Sequence, residues 1–373
     1  MDHTMFSAPD KTVVLRTVET FAVATAGGLA LTWLDVPAGL VIGSLFGVAL
    51  AGLLGRPMLV PAPLMRLLLV LIGISLGAVV TPETLKGLAA FPLSVAVLAV
   101  SVLCMITAAS SYLRYVHGWD PLSALFGASP GALAQVMALS TEYKADLRAI
   151  AIVQTMRVVA LTVGIPVGLS FFGLTAEGGL MSRFVAAAPI SIGELVVLVV
   201  VCTAAAWIVD RLRLPGGLLF GAMVGSAVLH GGGFINAFLP WWLVYAAVIG
   251  IGAVSGSRFA NTDPITLLRF LGAALGSLAV GMAIAALAVV LLTQFLSVKP
   301  ADAVVAFAPG AQDTMMVLAL ALHLDPVFVG ALHLSRFLLV SLLVPFLAHR
   351  IRRNPARSRR SPPGPNSDGE GQG

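Results

Sequence analysis

Two arginines, Arg157 and Arg336, stand in the middle of long apolar runs, 179 residues apart. Each follows an aspartate, Asp146 or Asp325, by eleven positions. An aspartate there can cap a helix N-terminus, and Asp325-Pro326 adds the proline favoured at the first helical position. Eleven helical residues climb about 16 Å, roughly half-way through a hydrocarbon core of about 30 Å. A guanidinium at that depth costs at least about 2.5 kcal/mol, so it needs a cavity or a partner. Two chemistries stay open. The arginines can hold an anion, or they can satisfy the carbonyls of an interrupted helix nearby. Gln154 and His333 precede them by three residues, on the same helix face. His333 is a coupling candidate as a proton carrier, weighed against a hydrogen-bonded core histidine.

A second pair of motifs precedes the arginines. Ser129-Pro130-Gly131-Ala132 and Ala308-Pro309-Gly310-Ala311 each interrupt an apolar run. Proline removes a donor and glycine weakens a helix, so both runs read as broken or re-entrant. In lipid such a break survives only inside protein or against a cavity. A helix is expected to restart at Pro130 and at Pro309. Beyond the breaks lie Gln135 in one half and Gln312 and Asp313 in the other. Asp313 reads as the only acidic group in the membrane-buried part of either broken segment. It is a candidate to pair with an arginine or to bind a coupling cation or proton; the plainer reading is a first-turn aspartate complementing its helix dipole. Two arginines and two positive helix ends against one aspartate favour a small organic anion, a carboxylate above all. The expected substrate site is therefore Pro130, Gly131, Ala132, Gln135, Arg157, Pro309, Gly310, Ala311, Gln312, Asp313 and Arg336.

The elements that must carry these residues form a repeat. From Phe126 and from Val305 the chain aligns without a gap at an offset of 179, with Pro, Asp and Arg among the identities. Pro37, Gly39, Leu40, Gly43 and Gly47 match Pro215, Gly217, Leu218, Gly221 and Gly225 at 178. Ile72, Gly73 and Gly77 match Ile251, Gly252 and Gly256. The four-residue glycine spacing suits close helix packing. Each half offers six apolar segments: 13–34, 37–55, 64–81, 85–113, 121–142 and 147–173, then 188–210, 215–231, 240–257, 265–297, 300–323 and 327–349. Most basic residues sort to one side if the fifth segment of each half makes no net crossing; Lys86, Arg183 and Lys299 stay outside as exceptions, and Arg269 is drawn inward or snorkels. That gives ten spans, five per half, with inverted repeats and both termini cytoplasmic. The expected layout is a cytoplasmic segment at 1–12, repeat 1 at 13–175, repeat 2 at 186–350 and a disordered basic tail at 351–373.

Composition agrees with an all-α polytopic membrane protein. Hydrophobic residues make up 58% of the chain and charged residues 10%, against about 25% charged in a soluble domain. Most of the net charge of +5 sits in an arginine-rich tail that begins at Arg350. Such a cluster beside a final helix fixes topology rather than reading nucleic acid. Cys104 and Cys202 lie in apolar runs and form no CxxC, so they read as packing residues. The histidines, His3, His117, His230, His323, His333 and His349, show no i, i+3 or i, i+4 pair. No metal, cofactor or enzymatic nucleophile is expected, and the partners are the lipid bilayer and a small molecule, with homo-oligomerisation left open.

At its paired Pro-Gly-Ala motifs, at Val36–Gly43 and Leu214–Gly221, and at Arg157 and Arg336, the sequence resembles the AbrB family of bacterial inner-membrane proteins. These are distinct from the small DNA-binding proteins of the same name. The resemblance spans roughly residues 15–350 and implies a duplicated membrane domain in the inner membrane. Family names include a regulator of expression and an ammonia monooxygenase; the histidine spacing speaks against the latter. The family is also distantly like bile-acid/sodium-symporter-type carriers, with inverted five-helix repeats and discontinuous helices. The function expected is secondary transport, with a membrane-embedded sensor as the alternative.

Overall fold

The computed structural model describes residues 11–80, 91–130, 133–174, 191–212, 216–260, 262–296 and 298–353. Among them there are helices and no strands. The protein is an all-α polytopic membrane protein. Two compact units divide it, and neither is a sequence half. Each unit takes three segments or more from either half.

The first unit holds α1 (Lys11–Trp33), α2 (Gly39–Leu53), α3 (Ala62–Gly77), α8 (Ile192–Arg211), α9 (Gly217–Gly231) and α10 (Trp241–Ser257). The glycine rows act as backbone contacts. A Cβ on Gly43 would overlap the Gly27 carbonyl of α1, and one on Gly221 would overlap the Ala205 carbonyl of α8. So α2 lies on α1 and α9 on α8. The third helix of each half then crosses to the other half. Gly73 and Gly77 of α3 face the Leu219 and Met223 carbonyls of α9, while Gly252 and Gly256 of α10 face the Val41 and Leu45 carbonyls of α2. The two pairs of contacts are equivalents of each other, since Gly73 and Gly77 correspond to Gly252 and Gly256 at an offset of 179, and Val41 and Leu45 to Leu219 and Met223 at 178. Without a hydrophobic drive between helices in lipid, such close backbone approach is what holds the unit together.

The second unit holds α4 (Phe91–His117), α5 (Pro121–Ala128), α6 (Leu133–Glu142), α7 (Leu147–Phe171), α11 (Pro264–Phe295), α12 (Pro300–Phe307), α13 (Gln312–Ala321) and α14 (Pro326–Arg353), save that the last residues of α13 group with the first unit. Its core gathers Ala109, Leu113, Ala124, Ala128, Val153 and Ala273. The broken helices interlock: α5 packs on α7 and also on α14, and α12 packs on α14 and also on α7.

Six of the described helices, α1, α4, α7, α8, α11 and α14, are long and apolar enough to cross a bilayer. The other four expected spans, α2, α3, α9 and α10, are apolar but only 15 to 17 residues long, or about 22–26 Å. Prolines at 61 and 240 fix the starts of α3 and α10. The N-terminal residues 1–10, Lys86, Arg183, Arg213, Pro215 and the tail beyond Arg353 lie outside the described residues. Cys202 is buried and Cys104 exposed, both as free thiols.

Candidate functional site

The two fifth segments are broken, and in the second half the break is wider than the sequence suggests. Helix α5 ends at Ala128 and α6 begins at Leu133; α12 ends at Phe307 and α13 begins at Gln312. Pro130 and Pro309 are therefore not first helical residues, which corrects the expected restart. The reason is steric. The residue before a proline is driven out of the α region, and Ser129 and Ala308 both have extended ψ, 122° and 132°. In the second half the chain uses Pro309, Gly310 and Ala311 to turn into the next helix. Gly131 and Ala132, and the side chain of Gln135, lie outside the described residues.

An ending helix leaves carbonyls without partners, and burial makes that costly. The arginines meet this need. Arg157 Nη2 donates to Ser129 O at 2.8 Å, and its Nη1 reaches Ala128 O at 3.3 Å and Gly127 O at 3.5 Å. Arg336 donates to the equivalent Ala308 O and to Gly310 O, the latter at 2.9 Å. Both side chains are almost wholly buried, 5% and 1% exposed. Among the described residues neither is bonded to a carboxylate, and each keeps a buried Nε without a partner. Of the two chemistries the sequence left open, the geometry displays carbonyl satisfaction for both arginines.

Their neighbours extend the pattern. Gln154 donates to Phe126 O at 2.9 Å, and His333 Nε2 contacts the equivalent Val305 O at 3.1 Å. His333 Nδ1 contacts Arg336. Arginine has no acceptor, so Nδ1 must accept and Nε2 must carry the proton to Val305. That leaves His333 a neutral imidazole in this arrangement.

Asp146 caps α7 through Ala149 N at 3.0 Å, and Asp325 caps α14 through Val327 N and Phe328 N at 2.9 and 3.1 Å, as expected from sequence. A further layer was not foreseen. Ser123 Oγ accepts from Asp146 N, and Asp302 Oδ1, at the equivalent position, accepts from Asp325 N, both at 2.9 Å. Asp302 is 5% exposed. Asp313 is thus not the only acidic group buried in a broken segment. The signal for Asp302 was its alignment with Ser123, which is polar at the same offset. Asp313 and Gln312 sit half-buried in the first turn of α13, with Asp313 accepting from Thr314 N at 3.0 Å.

The halves also end their second pieces alike. Lys144 and His323 both adopt left-handed backbone, φ 55° and 56°. Ala145 N bonds Ser140 O and Leu324 N bonds Ala319 O, each at 2.9 Å. This is a C-terminal cap made without glycine, so no sequence signal marked it.

No group of three or more His, Cys, Asp or Glu side chains able to hold a metal occurs among the described residues.

A family model described as "Transition state regulatory protein AbrB" matches residues 40–352. "Putative regulator AbrB" of Escherichia coli (strain K12) is 28% identical over 318 residues, covering 85% of this chain and 90% of that one. "Uncharacterized protein YhjN" of Bacillus subtilis (strain 168) is 26% identical over 359 residues, covering 89% and 92%. The matched region contains both breaks, both arginines and the crossed glycine contacts, and the chain belongs to the AbrB family of membrane proteins.

Proposed function

We propose that the protein is a secondary transporter of a small organic anion, built from two inverted repeats of five spanning helices and one broken segment each. The carrying observation is the pair of buried helix breaks, each held by an arginine from the long helix that follows. Discontinuous helices at membrane depth characterise the binding centres of secondary carriers.

Charge supports an anion. The ends of α5 and α12 carry about half a negative charge each, the starts of α6 and α13 about half a positive charge each, and these cancel. Two buried guanidiniums remain at the breaks against Asp313, while the buried Asp302, at the far end of α12, is engaged by Asp325 N. In this reading the arginines act mainly by fixing the breaks and supplying field. The N–H groups at the start of α6 and α13, with Pro130, Gly131, Ala132, Gln135, Pro309, Gly310, Ala311 and Gln312 around them, touch the substrate. Asp313 is the coupling candidate; His333, bonded on both nitrogens, serves the break unless Arg336 moves. The basic last turns of α4 and α14 support a cytoplasmic position for both ends in an inner membrane.

The regulator name of a relative favours one second reading, a membrane sensor that binds without turnover. Reconstitution into liposomes and counterflow of labelled small carboxylates separates the two. Saturable uptake above protein-free liposomes supports transport. Binding without flux supports the sensor, and neither binding nor flux for any anion removes the charge argument.

A further inference from the structure

The basic ends of α4 and α14 enclose a second polar feature in the same compact unit. A cavity of about 670 Å³ lies between the last turns of α4, the start of α5 and the end of α14. Arg114, Arg350 and Arg353 line it, and among the described residues no carboxylate does. Arg350 and Arg353 are exposed, so a ligand at the surface can reach them.

The hydroxyls on its wall turn their hydrogens toward their own helix. Thr107 donates to Leu103 O at 2.8 Å, Ser110 to Thr107 O at 3.2 Å and Ser111 to Thr107 O at 2.7 Å. Their hydrogens are committed to α4, and their oxygens are left to accept. Ile106, Leu347 and Ile351 complete an apolar wall. Next to it along the same helices, Leu103, Leu342 and Phe346 are exposed, Leu342 at 77%.

Three requirements coincide here. Three guanidiniums around a cavity lined by no carboxylate call for a phosphate or comparable anion. Hydroxyl oxygens turned to accept favour O–H donors on the ligand. Exposed apolar rows running from the cavity call for hydrocarbon. A soluble anion satisfies the first, and the second if it carries hydroxyls, but leaves the apolar rows idle. We infer that this cavity is the headgroup site of an anionic phospholipid whose headgroup carries free hydroxyls, of the phosphatidylglycerol kind. The phosphate sits among Arg114, Arg350 and Arg353, and the acyl chains lie along α4 and α14. Basic pockets between membrane helices bind anionic headgroups by the same physics. The site does not depend on whether the protein transports.

The test is lipid retention by the full chain in detergent, read by native mass spectrometry against equal amounts of phosphatidylglycerol and phosphatidylcholine. Wild type should hold phosphatidylglycerol preferentially. The double variant Arg350→Gln/Arg353→Gln changes two exposed residues at a helix end. It should bind that lipid roughly 30-fold less, two surface charges' worth of attraction. The matching lysine variant, which keeps the charge, should retain most of it. Arg350→Gln alone serves if the double variant does not fold, with a roughly fivefold loss. Equal retention by wild type and the glutamine variants overturns the site. Displacement of the lipid by millimolar inorganic phosphate or glycerol phosphate overturns the lipid assignment and leaves a soluble-anion site.

Discussion

His333 Nδ1 accepts a hydrogen bond from Arg336 while Nε2 donates to the carbonyl of Val305. One ring thus ties the guanidinium that staples the second break to the helix that ends there. The first half achieves the carbonyl contact with Gln154 on Phe126 O. Glutamine at 333 can reproduce both contacts, since its amide has a donor and an acceptor. We expect His333→Gln to lower stability by under about 1 kcal/mol and His333→Leu by about 1–3 kcal/mol, the cost of leaving a buried carbonyl and an arginine N–H unmet. Thermal unfolding in detergent measures both. If His333 instead carries the coupled proton, the glutamine variant will fold normally and lose pH-driven uptake.

The arginines should tolerate lysine unequally. Arg157 has one short contact, to Ser129 O at 2.8 Å, and two long ones. A lysine can keep the short one. Arg336 bridges Ala308 O, Gly310 O and His333, and a single ammonium on a flexible stem lacks the planar fork that does so. Arg336→Leu should cost about 2–4 kcal/mol, and Arg336→Lys should recover less than half of that. Arg157→Lys should recover most of its own loss. An Arg336→Lys protein as stable as wild type would show that the contacts at Gly310 and His333 carry little.

Much of this was legible because membrane sequences are strict. The apolar segments fell within a few residues of the helices, since length and hydropathy leave little freedom in lipid. The caps at Asp146 and Asp325 and the breaks near Pro130 and Pro309 followed from local chemistry. What the sequence could not show was the choice of partner. Arg157 and Arg336 needed something polar, but only the folded chain places the carbonyls of Ser129 and Ala308 within reach. The grouping into units was equally hidden. The crossing of α3 onto α9 and α10 onto α2 depends on carbonyl positions, to which side-chain patterns are blind. Lys144 and His323 were invisible because a left-handed cap without glycine leaves no mark.

Asp302 offers a cleaner test of the repeat. Its Oδ1 accepts from Asp325 N, as Ser123 Oγ accepts from Asp146 N. If the contact is purely structural, Asp302→Ser transplants the first half's solution and should stay within about 1 kcal/mol of wild type, while Asp302→Leu should lose about 1–3 kcal/mol. Both are read by thermal unfolding, and flux in liposomes gives an independent readout. Normal stability with abolished flux for Asp302→Ser would move the coupling role from Asp313 to Asp302.

The glycines separate packing from propensity. A Cβ at Gly43 would meet the Gly27 carbonyl, which is backbone and cannot rotate away, so α1 and α2 must separate. Gly73 faces the Leu219 carbonyl in the same way. Gly164 lies inside α7 with nothing within 4 Å of its Cβ position. Gly43→Ala and Gly73→Ala should each destabilise by about 1–3 kcal/mol, as overpacking does. Gly164→Ala should be neutral or stabilise by up to about 1 kcal/mol, the helix propensity that glycine forfeits. Unfolding midpoints of the three variants against wild type decide the matter. If Gly43→Ala and Gly164→Ala behave alike, the α1–α2 contact is looser than the glycine geometry requires, and small-residue packing is not what holds the first unit together.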